Sequence, residues 1–427
     1  MAHGHSGHEH RAPHGIWPSQ SPTEPGPRGI VTERGASGVA DPAIVSWKLN
    51  TTAETGTSSD AEIDSYVRDI AADVLVVAYD DPHVYVQATG VPSHPVGPFV
   101  DGNPSYPSDV DGTYRIARMP TVQVGDRSAT GLGPIGIMVN GVPFFDARDG
   151  HSFEDEGVWN QNAVVVRASG FDAARGHPAP IGQVQPPMLV PGSYHYHQAA
   201  VSLLEQLDPG NTGKRHSPLI GFAFDSFPVY GPYGYSNPND GTSAIKQLVS
   251  SYRARSELET TGRTSLPEGE MLPESLHGPV VGKEFPLGYY IEDFVYAEGS
   301  GDLNAFNGRF AATPEYPDGT FAYYLTLDAI ESIVSETPST YPDIVGPDYY
   351  GVVDTANTRP GAMIQIPDDV TYYLPEPAYE AGLMAAVLTL VCSRYSSTRQ
   401  SNLGEHPKAA IGERLKSGHS ARSRPGH

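Results

Sequence analysis

Short apolar segments separated by turn residues recur along the middle of the chain, and this spacing limits the fold more than any other feature. The 427 residues include 46 glycines and 40 prolines, while only 18% are charged. Glycine and proline interrupt helices but suit the tight turns between strands. The sequence therefore predicts a mainly β protein, an antiparallel sandwich or a barrel-like single domain with a few short helices.

The strand predictions rest on runs of β-branched and aromatic residues that are bounded by turn dipeptides. We predict strands at 43–49, 74–79, 83–88, 113–119, 134–145, 162–168, 289–296 and 321–327. Apolar residues at helical spacing are confined to 61–74, 198–207 and 242–259. Asn140-Gly141 lies inside one of the strand segments and predicts a two-residue hairpin turn there.

Both ends of the chain differ in composition from its middle. Residues 1–42 mix His, Pro, Gly and Ser without apolar periodicity, and residues 393–427 are polar and basic. Such segments bury too little apolar surface to offset the entropy of ordering, so we predict two disordered tails. Residues 43–392 then form one domain. Its last apolar run, 381–392, is too short to span a membrane and predicts a docked helix.

The charge and the cysteine content narrow the possible partners. A formal net charge of −23 opposes binding to nucleic acid or to an anionic membrane, and it favours either cations as partners or simply an acidic, soluble surface. Cys392 is the only cysteine, so no intrachain disulfide can form and no reactive thiol is predicted. The N-terminal residues show no apolar stretch typical of a signal peptide. Their histidines, in a flexible tail, indicate at most loose binding of Cu²⁺ or Ni²⁺.

The segment SYHYHQA at 193–199 places two histidines two residues apart. In a strand, His195 and His197 project from the same face and could present two imidazole nitrogens to a divalent transition metal. Such a site needs a third ligand, and His177 and His216 lie nearby in Gly/Pro-rich stretches that fix the backbone. From these residues alone, a cluster of hydrogen-bonded histidines in a polar core stays open as the alternative.

With these histidines identified, the chain resembles the YHYH domain family, which is named for the tetrapeptide found here at 194–197. The matching segments span about 44–351 and lie at 90–99, 133–145, 171–178, 194–197, 216–235, 302–326 and 341–351. The resemblance implies an extracellular or periplasmic protein whose histidines are suspected of binding metal. Many members carry cysteines where this chain has Ala174 and Phe306, which implies that no such disulfide and no thiolate ligand is present here.

Carried over residue by residue, the family pattern implies a metal site built from histidines. The candidate ligands are His195 and His197 with one or two of His177, His216 and His94. Imidazole ligands without a thiolate favour Zn²⁺ or Cu²⁺. The matching acidic and amide residues are Asp172, Asp225, Asp302, Asn304 and Asn307. If the ion keeps a position for water, hydrolysis or copper redox chemistry becomes possible, with Asp225 or Asp302 as the candidate proton-handling group.

Other functions stay open beside the metal hypothesis. The histidines and tyrosines could form a buried hydrogen-bond network in a non-catalytic surface or matrix module. Exposed tyrosines could bind an extracellular polymer or carbohydrate, and the segment DLNAFNG at 302–308 is a weaker candidate for Ca²⁺. No serine-nucleophile or nucleotide-binding motif occurs in a strand-to-helix context. Convergence of the histidine nitrogens on one point would favour the metal site over the network.

Overall fold

Two β-sheets organise most of the chain that the structure describes. The structure is a computed structural model, and it describes residues 40–102, 104–181, 189–327, 340–358 and 364–375. The described residues up to Tyr373 belong to one compact unit, and a second unit begins at Leu374. Among the described helices, none has the length and apolar character needed to span a membrane.

The described residues form nineteen strands, most of them short because turn residues end them. In chain order they are β1 Val74–Tyr79, β2 His83–Ala88, β3 Ser105–Pro107, β4 Gly112–Ala117, β5 Pro134–Met138, β6 Pro143–Phe145, β7 Arg148–Ser152, β8 Asn160–Asn162, β9 Gly176–Pro180, β10 Val190–Tyr196, β11 Leu219–Ala223, β12 Pro228–Tyr230, β13 Tyr233–Tyr235, β14 Ile245–Gln247, β15 Tyr252–Ala254, β16 Phe294–Tyr296, β17 Gly308–Ala311, β18 Thr320–Tyr324 and β19 Thr371–Tyr372.

Helices are few and short in the same ranges. The α-helices are α1 Pro42–Val45, α2 Ala61–Val67, α3 Ala163–Val166, α4 Val201–Leu207 and α5 Leu258–Thr261. Single 3₁₀ turns lie at Phe153–Asp155, Ala168–Gly170, Glu274–Leu276 and Ile291–Asp293. The prediction of a mainly β protein with a few short helices is confirmed.

The smaller of the two main sheets is antiparallel throughout, in the order β19-β1-β2-β4. Its central strands β1 and β2 have the bounds predicted for 74–79 and 83–88, and residues 80–82 form the tight turn between them. Val77 pairs with Val86 in the middle of this hairpin, and both side chains are buried. The runs of β-branched and aromatic residues were therefore sufficient to predict this part of the fold.

The larger sheet has nine strands and is mixed. Its order is β17-β18-β12-β11-β5-β6-β10-β3, and β9 pairs with β10 off this path. Strand β10 runs parallel to β3 and β6, and β12 runs parallel to β18, while the other pairs are antiparallel. Parallel neighbours arise because long connections, not hairpins, join these strands. The sheet is open, and the described residues form no closed barrel.

The core lies against the middle of the larger sheet. Every residue of β11 and β18 is buried, as expected for central strands that are covered on both faces. Aromatic side chains are the largest fully buried members of this core, and Phe144, Phe222 and Tyr194 are among them. The tetrapeptide strand β10 is therefore part of the central structure of the molecule and not a surface edge.

Three sequence predictions of local structure are wrong, and helix capping explains two of them. Residues 43–49 begin with helix α1, because Asp41 caps the first turn and Pro42 starts it. Residues 162–168 begin with α3, whose N-cap is Asn162. The helix predicted at 242–259 is mostly extended, since its apolar residues pair in β14 and β15. Tertiary pairing decided the conformation there.

Other predictions concern residues that lie outside the described ranges. These are residues 1–39 of the first predicted tail, the helix predicted at 381–392, Cys392 and the second predicted tail at 393–427.

Candidate metal centre

The pairing of β9 with β10 brings the first two histidines together. The antiparallel register sets His177 directly opposite His195. Residues directly opposed in this way project from the same face of the sheet, with their Cβ atoms about 5 Å apart. The ring centroids of His177 and His195 lie 4.6 Å apart, so the sheet register itself places these two imidazoles in contact.

His197 joins the pair from the end of β10. Because side chains alternate along a strand, His195 and His197 share one face. Their ring centroids are 4.9 Å apart, and those of His177 and His197 are 5.4 Å apart. One ring nitrogen from each histidine lies within 4.8 Å of the other two. The three residues are all at least nine-tenths buried, and we call them the histidine triad.

Backbone carbonyl groups fix the tautomers of two triad members. Nδ1 of His195 lies 2.9 Å from the carbonyl oxygen of Ser193, and Nδ1 of His197 lies 2.6 Å from that of Asp146. A carbonyl oxygen only accepts, so each Nδ1 carries the hydrogen and donates it. In the neutral rings, Nε2 of both histidines then presents a lone pair. These two Nε2 atoms face each other at 3.1 Å.

The environment of the triad keeps the imidazoles uncharged. Burial lowers the pKa of His177 to about 3, with the neighbouring His197 and Arg167 adding to the effect. Burial also holds the pKa of His195 well below its ordinary value and lowers that of His197. Protonating one Nε2 to bridge the 3.1 Å contact is therefore unfavourable. The third member, His177, has no hydrogen-bond partner at either ring nitrogen.

Aromatic rings and one ion pair surround the triad. Phe145 stacks on His195 with centroids 3.9 Å apart, and Phe171 packs against His177 at 4.7 Å. Arg167 forms a bidentate pair with Asp149, with distances of 2.7 and 3.1 Å. These rings restrict the orientation of the imidazoles, which is what a preformed ligand set requires.

The carbonyl that orients His197 is itself held in place. Asp146 accepts hydrogen bonds at its carboxylate from the backbone N–H and the Nε of Arg148, at 2.8 and 3.0 Å, and from the hydroxyl of Thr130. Asp146 is 5% exposed. Its backbone therefore has little freedom to move away from the imidazole that it binds.

The opposite face of β10 carries the two tyrosines of the tetrapeptide. Tyr194 donates to Asp172 at 2.8 Å, and Tyr196 bonds to Nε2 of His94 at 2.6 Å. Asp172 also accepts from the backbone N–H of Gly97 at 2.9 Å and of Gly176 at 3.0 Å. This network links β10 to the segment that precedes β9. The tyrosines therefore stabilise β10 through hydrogen bonds on one face, while the histidines project from the other face.

Residues 113–334 match the family model described as YHYH protein, which covers more than half of the chain. The chain belongs to the YHYH family. No curated protein and no solved structure matches it significantly. The family name refers to the strand described above, with its buried histidines on one face and its bonded tyrosines on the other.

Two of the five histidines that the YHYH resemblance suggested lie outside the triad. His94 sits on the tyrosine face of β10, where its Nδ1 donates to the carbonyl of Pro95 at 3.0 Å and its Nε2 accepts from Tyr196. Both nitrogens are thus occupied. His216 lies among other tyrosines, and its Nδ1 donates to the carbonyl of Ser217 at 2.7 Å. The structure places neither ring in the group with the triad.

The acidic and amide candidates are also engaged elsewhere. Asp225 accepts from the Tyr323 hydroxyl and the Gly351 N–H, and Asp302 pairs with Lys246. These bonds do not connect either carboxylate to a residue of the histidine triad. Asn304 accepts from the backbone at two positions of its own turn, and Asn307 donates to two carbonyl groups. Within the segment 302–308, only Asn304 thus uses its side-chain oxygen for the turn itself.

Sequence reasoning missed the groups that orient the triad. Asp146 acts through its backbone carbonyl, and any residue type carries one, so composition gives no signal for it. Phe145 and Phe171 lie inside segments that match the YHYH family, and their closeness to motif histidines was a usable signal. Arg167 was assigned to a strand that the structure does not contain, which hid its position beside the triad.

Proposed function

We propose that this YHYH protein binds one divalent transition metal ion through Nε2 of His195, Nε2 of His197 and a ring nitrogen of His177. The carrying observation is the 3.1 Å contact between two Nε2 atoms whose rings each donate their hydrogen from Nδ1. Two facing lone pairs repel each other unless a cation lies beside both. The burial that lowers the pKa of these rings favours a metal ion over a proton in that role.

The spacing of the nitrogens fits a small ion. Zinc binds imidazole nitrogen at about 2.0–2.1 Å, so two ligands of a tetrahedral ion are roughly 3.3 Å apart. The separation of 3.1 Å between the tetrapeptide nitrogens is close to this value. The third nitrogen, from His177, lies within 4.8 Å of the others.

The ligand chemistry favours zinc or copper. All three donors are imidazoles, which suit Zn²⁺ and Cu²⁺ better than the oxygen-seeking Ca²⁺ or Mg²⁺. Three protein ligands leave a coordination position for water or a substrate group, as catalytic zinc sites do. Such a position supports metal-assisted hydrolysis with zinc or redox chemistry with copper.

We further propose that the protein works outside the cytoplasm, as its YHYH membership suggests. A site made only of imidazoles contains no thiolate that an oxidising compartment would convert to a disulfide. Fractionation of the native host with an antibody against the chain tests this location. Recovery of the protein only from the cytoplasmic fraction would contradict it.

The metal proposal is tested by the variant His195→Ala/His197→Ala in the full chain, purified without an affinity tag. We expect wild-type protein to hold one equivalent of Zn²⁺ or Cu²⁺ by elemental analysis and the double variant to lose it. His151→Ala is the matched control, because His151 is exposed and outside the triad. It should keep the metal.

The outcome that contradicts the proposal is equally defined. If the double variant retains its equivalent, the ion is held elsewhere. If wild-type protein contains none and gains no thermal stability from added Zn²⁺ or Cu²⁺, the triad is a structural cluster. A non-catalytic module with a hydrogen-bonded histidine network would then be the better explanation of the triad.

A further inference from the structure

The proposed metal ion brings positive charge into a site whose ligands carry none. His177, His195 and His197 are uncharged imidazoles, and each is at least nine-tenths buried. A dication among buried neutral groups is costly unless an opposite charge lies close to it. The carboxylates around the triad therefore influence how tightly such an ion can be held.

Asp146 lies next to the triad, but an arginine holds its carboxylate firmly. The carboxylate accepts from the backbone N–H and the Nε of Arg148, at 2.8 and 3.0 Å, and from the hydroxyl of Thr130. Arg148 also donates to the backbone carbonyl of Thr130. A guanidinium that is bonded on both sides has little freedom to leave Asp146 when an ion arrives. Asp172 lies on the opposite face of β10, where it binds a tyrosine.

Asp149 is held in a different way. It lies on β7, three positions after Asp146, and binds Arg167 through both of its oxygens, at 2.7 and 3.1 Å. Arg167 follows helix α3, whose first N–H donates to a backbone carbonyl just before β7. The chain then reaches Phe171, which packs against His177 with ring centroids 4.7 Å apart. The Asp149–Arg167 pair therefore lies beside the triad, between the segment of Asp146 and that of Phe171.

The charges of this pair act on two of the three triad rings. Burial is the main cause that lowers the pKa of His177, and the charge of Arg167 adds to this effect while that of Asp149 opposes it. The same two charges act on His197 with the same signs, again beside a larger effect of burial. Asp149 thus favours, and Arg167 opposes, any positive charge that lies among these rings. A divalent metal ion is such a charge.

The two members of the pair differ in their access to water. The side chain of Asp149 is 8% exposed, whereas that of Arg167 is 40% exposed. Arg167 also has a second carboxylate nearby. The exposed Asp101 lies against Gly170, three residues along the chain, and its charge adds to the hydrogen bond with Asp149 in raising the pKa of Arg167. Arg167 can therefore turn towards water and Asp101, while Asp149 stays buried beside the triad.

We propose that Asp149 is the counter-ion of the bound metal and that Arg167 occupies this carboxylate when the ion is absent. Metal binding then exchanges one cation for another beside Asp149, because the guanidinium turns outward and the ion takes its place as the balancing charge. Asp149 acts through its charge and is not a direct ligand. The proposal rests on the metal site proposed above, and it names the residue pair that sets the affinity of that site.

Calorimetric titration of the full chain with Zn²⁺ separates this role from a purely structural one. Arg167→Gln removes the competing cation and should tighten zinc binding by about tenfold, while Asp149→Asn removes the counter-charge and should weaken it by about tenfold. The double variant should return to within about threefold of wild type, because the two charges are removed together. With Ag⁺ as a singly charged probe, each single variant should shift the Kd by only about threefold, because the Coulomb energy is proportional to the charge of the ion.

Arg215 offers a matched control, since it is an exposed arginine that also pairs with an aspartate, Asp208, outside the triad. Arg215→Gln makes the same change in net charge as Arg167→Gln and should leave zinc binding unchanged. If wild type binds no zinc, the metal site and the counter-ion role both fail. If wild type binds zinc but the two single variants do not shift its Kd in opposite directions, or if Ag⁺ responds as strongly as Zn²⁺, the counter-ion role alone is overturned.

Discussion

At the scale of single residues, two backbone carbonyl groups decide the chemistry of the triad. They fix the hydrogen of His195 and of His197 on Nδ1 and leave both Nε2 atoms free as ligands. Metal-binding histidines commonly donate their second N–H to a carbonyl in this way, which sets the tautomer and the ring orientation. The tetrapeptide supplies the rings, while Ser193 and Asp146 determine which nitrogen of each ring is available.

The tautomers can be observed directly by ¹⁵N NMR of labelled protein. With the metal removed at neutral pH, His195 and His197 should both show the uncharged Nδ1–H form, because burial lowers the pKa of each ring. His151 is exposed and serves as the internal reference. A hydrogen on Nε2 of either triad ring would contradict the lone-pair argument.

A second residue, Asp225, makes the stability of the protein depend on pH because its carboxyl group is buried. Its side chain accepts from the Tyr323 hydroxyl at 2.6 Å and the Gly351 N–H at 2.8 Å. Burial nevertheless raises its pKa from 3.8 to about 6. The folded carboxyl thus keeps its proton at pH values where the unfolded one has lost it. Its contribution to stability is largest below pH 4 and declines as the pH rises to 6, by about 3 kcal/mol in total.

Replacing Asp225 by asparagine should remove this dependence. The free energy of unfolding of wild type minus that of Asp225→Asn should fall by as much as about 3 kcal/mol between pH 4 and pH 7. Urea unfolding of both proteins at four pH values measures this difference in the free energy of unfolding. The contributions of titratable groups that are the same in both proteins cancel in the subtraction. A difference that stays constant with pH would show that Asp225 is not protonated in the folded protein.

Which residues the sequence could identify depends on how each one acts. His177, His195 and His197 act through side chains in a recognisable spacing, so they could be named before the fold was known. His94 and His216 have the same residue type and similar Gly/Pro surroundings, but tyrosines bind or surround them. The three triad histidines differ from the other two only in the register of β9 and β10 and in the face from which each side chain projects. Neither property can be derived from composition.

At the scale of elements, the strand pair β9–β10 is the scaffold of the triad. Gly176 begins β9 and pairs with Tyr196, one position from the His177–His195 pair. A Cβ at Gly176 would overlap the ring and hydroxyl of Tyr194. The close approach of strand and tyrosine therefore requires glycine at this position, independently of backbone dihedral angle.

Gly176→Ala should separate β9 from β10. We expect a loss of roughly 1–3 kcal/mol in the free energy of unfolding, as for other overpacked sites, together with weaker metal binding. Gly150→Ala on β7 is the control, because a Cβ there meets open space. It should change stability by less than about 0.5 kcal/mol. Calorimetry with a Zn²⁺ titration measures both effects, and equal behaviour of the two variants would contradict the steric argument.

Element prediction from sequence succeeded where neighbours along the chain also pair in space. The hairpin β1–β2 has the predicted bounds because its β-branched and aromatic runs and the turn between them are all local. The segment 242–259 failed although β14 pairs with the nearby β13, because the partner of β15 is β16, some forty residues later. Its apolar residues fit a helix as well as these strands, so only the tertiary context could decide.

At the scale of the whole molecule, the larger sheet carries the histidine triad. Strands β9 and β10 hold the triad near one end of this sheet, and β6, β5, β11 and β12 join them to β18 near the other end. Adjacent strands in this order share hydrogen bonds and a common core. We therefore expect the residues that form the sheet to unfold together.

A ligand of the triad should then stabilise the whole sheet. Zn²⁺ at about one hundred times its Kd should add roughly 2.7 kcal/mol to the free energy of unfolding, since it binds only the folded state. Scanning calorimetry should show one transition that moves to higher temperature, and His195→Ala/His197→Ala should abolish the shift. Two transitions, of which zinc moves only one, would show that the sheet is not one cooperative unit.

The hydrogen bond between His197 and the Asp146 carbonyl spans 51 positions of the chain. While the protein is being synthesised, this hydrogen bond cannot form until that whole stretch has left the ribosome. The strand β10 must then align beside β6, where Tyr196 pairs with Phe144, before the second imidazole is oriented. A nascent chain that stalls before β10 consequently cannot form the histidine triad.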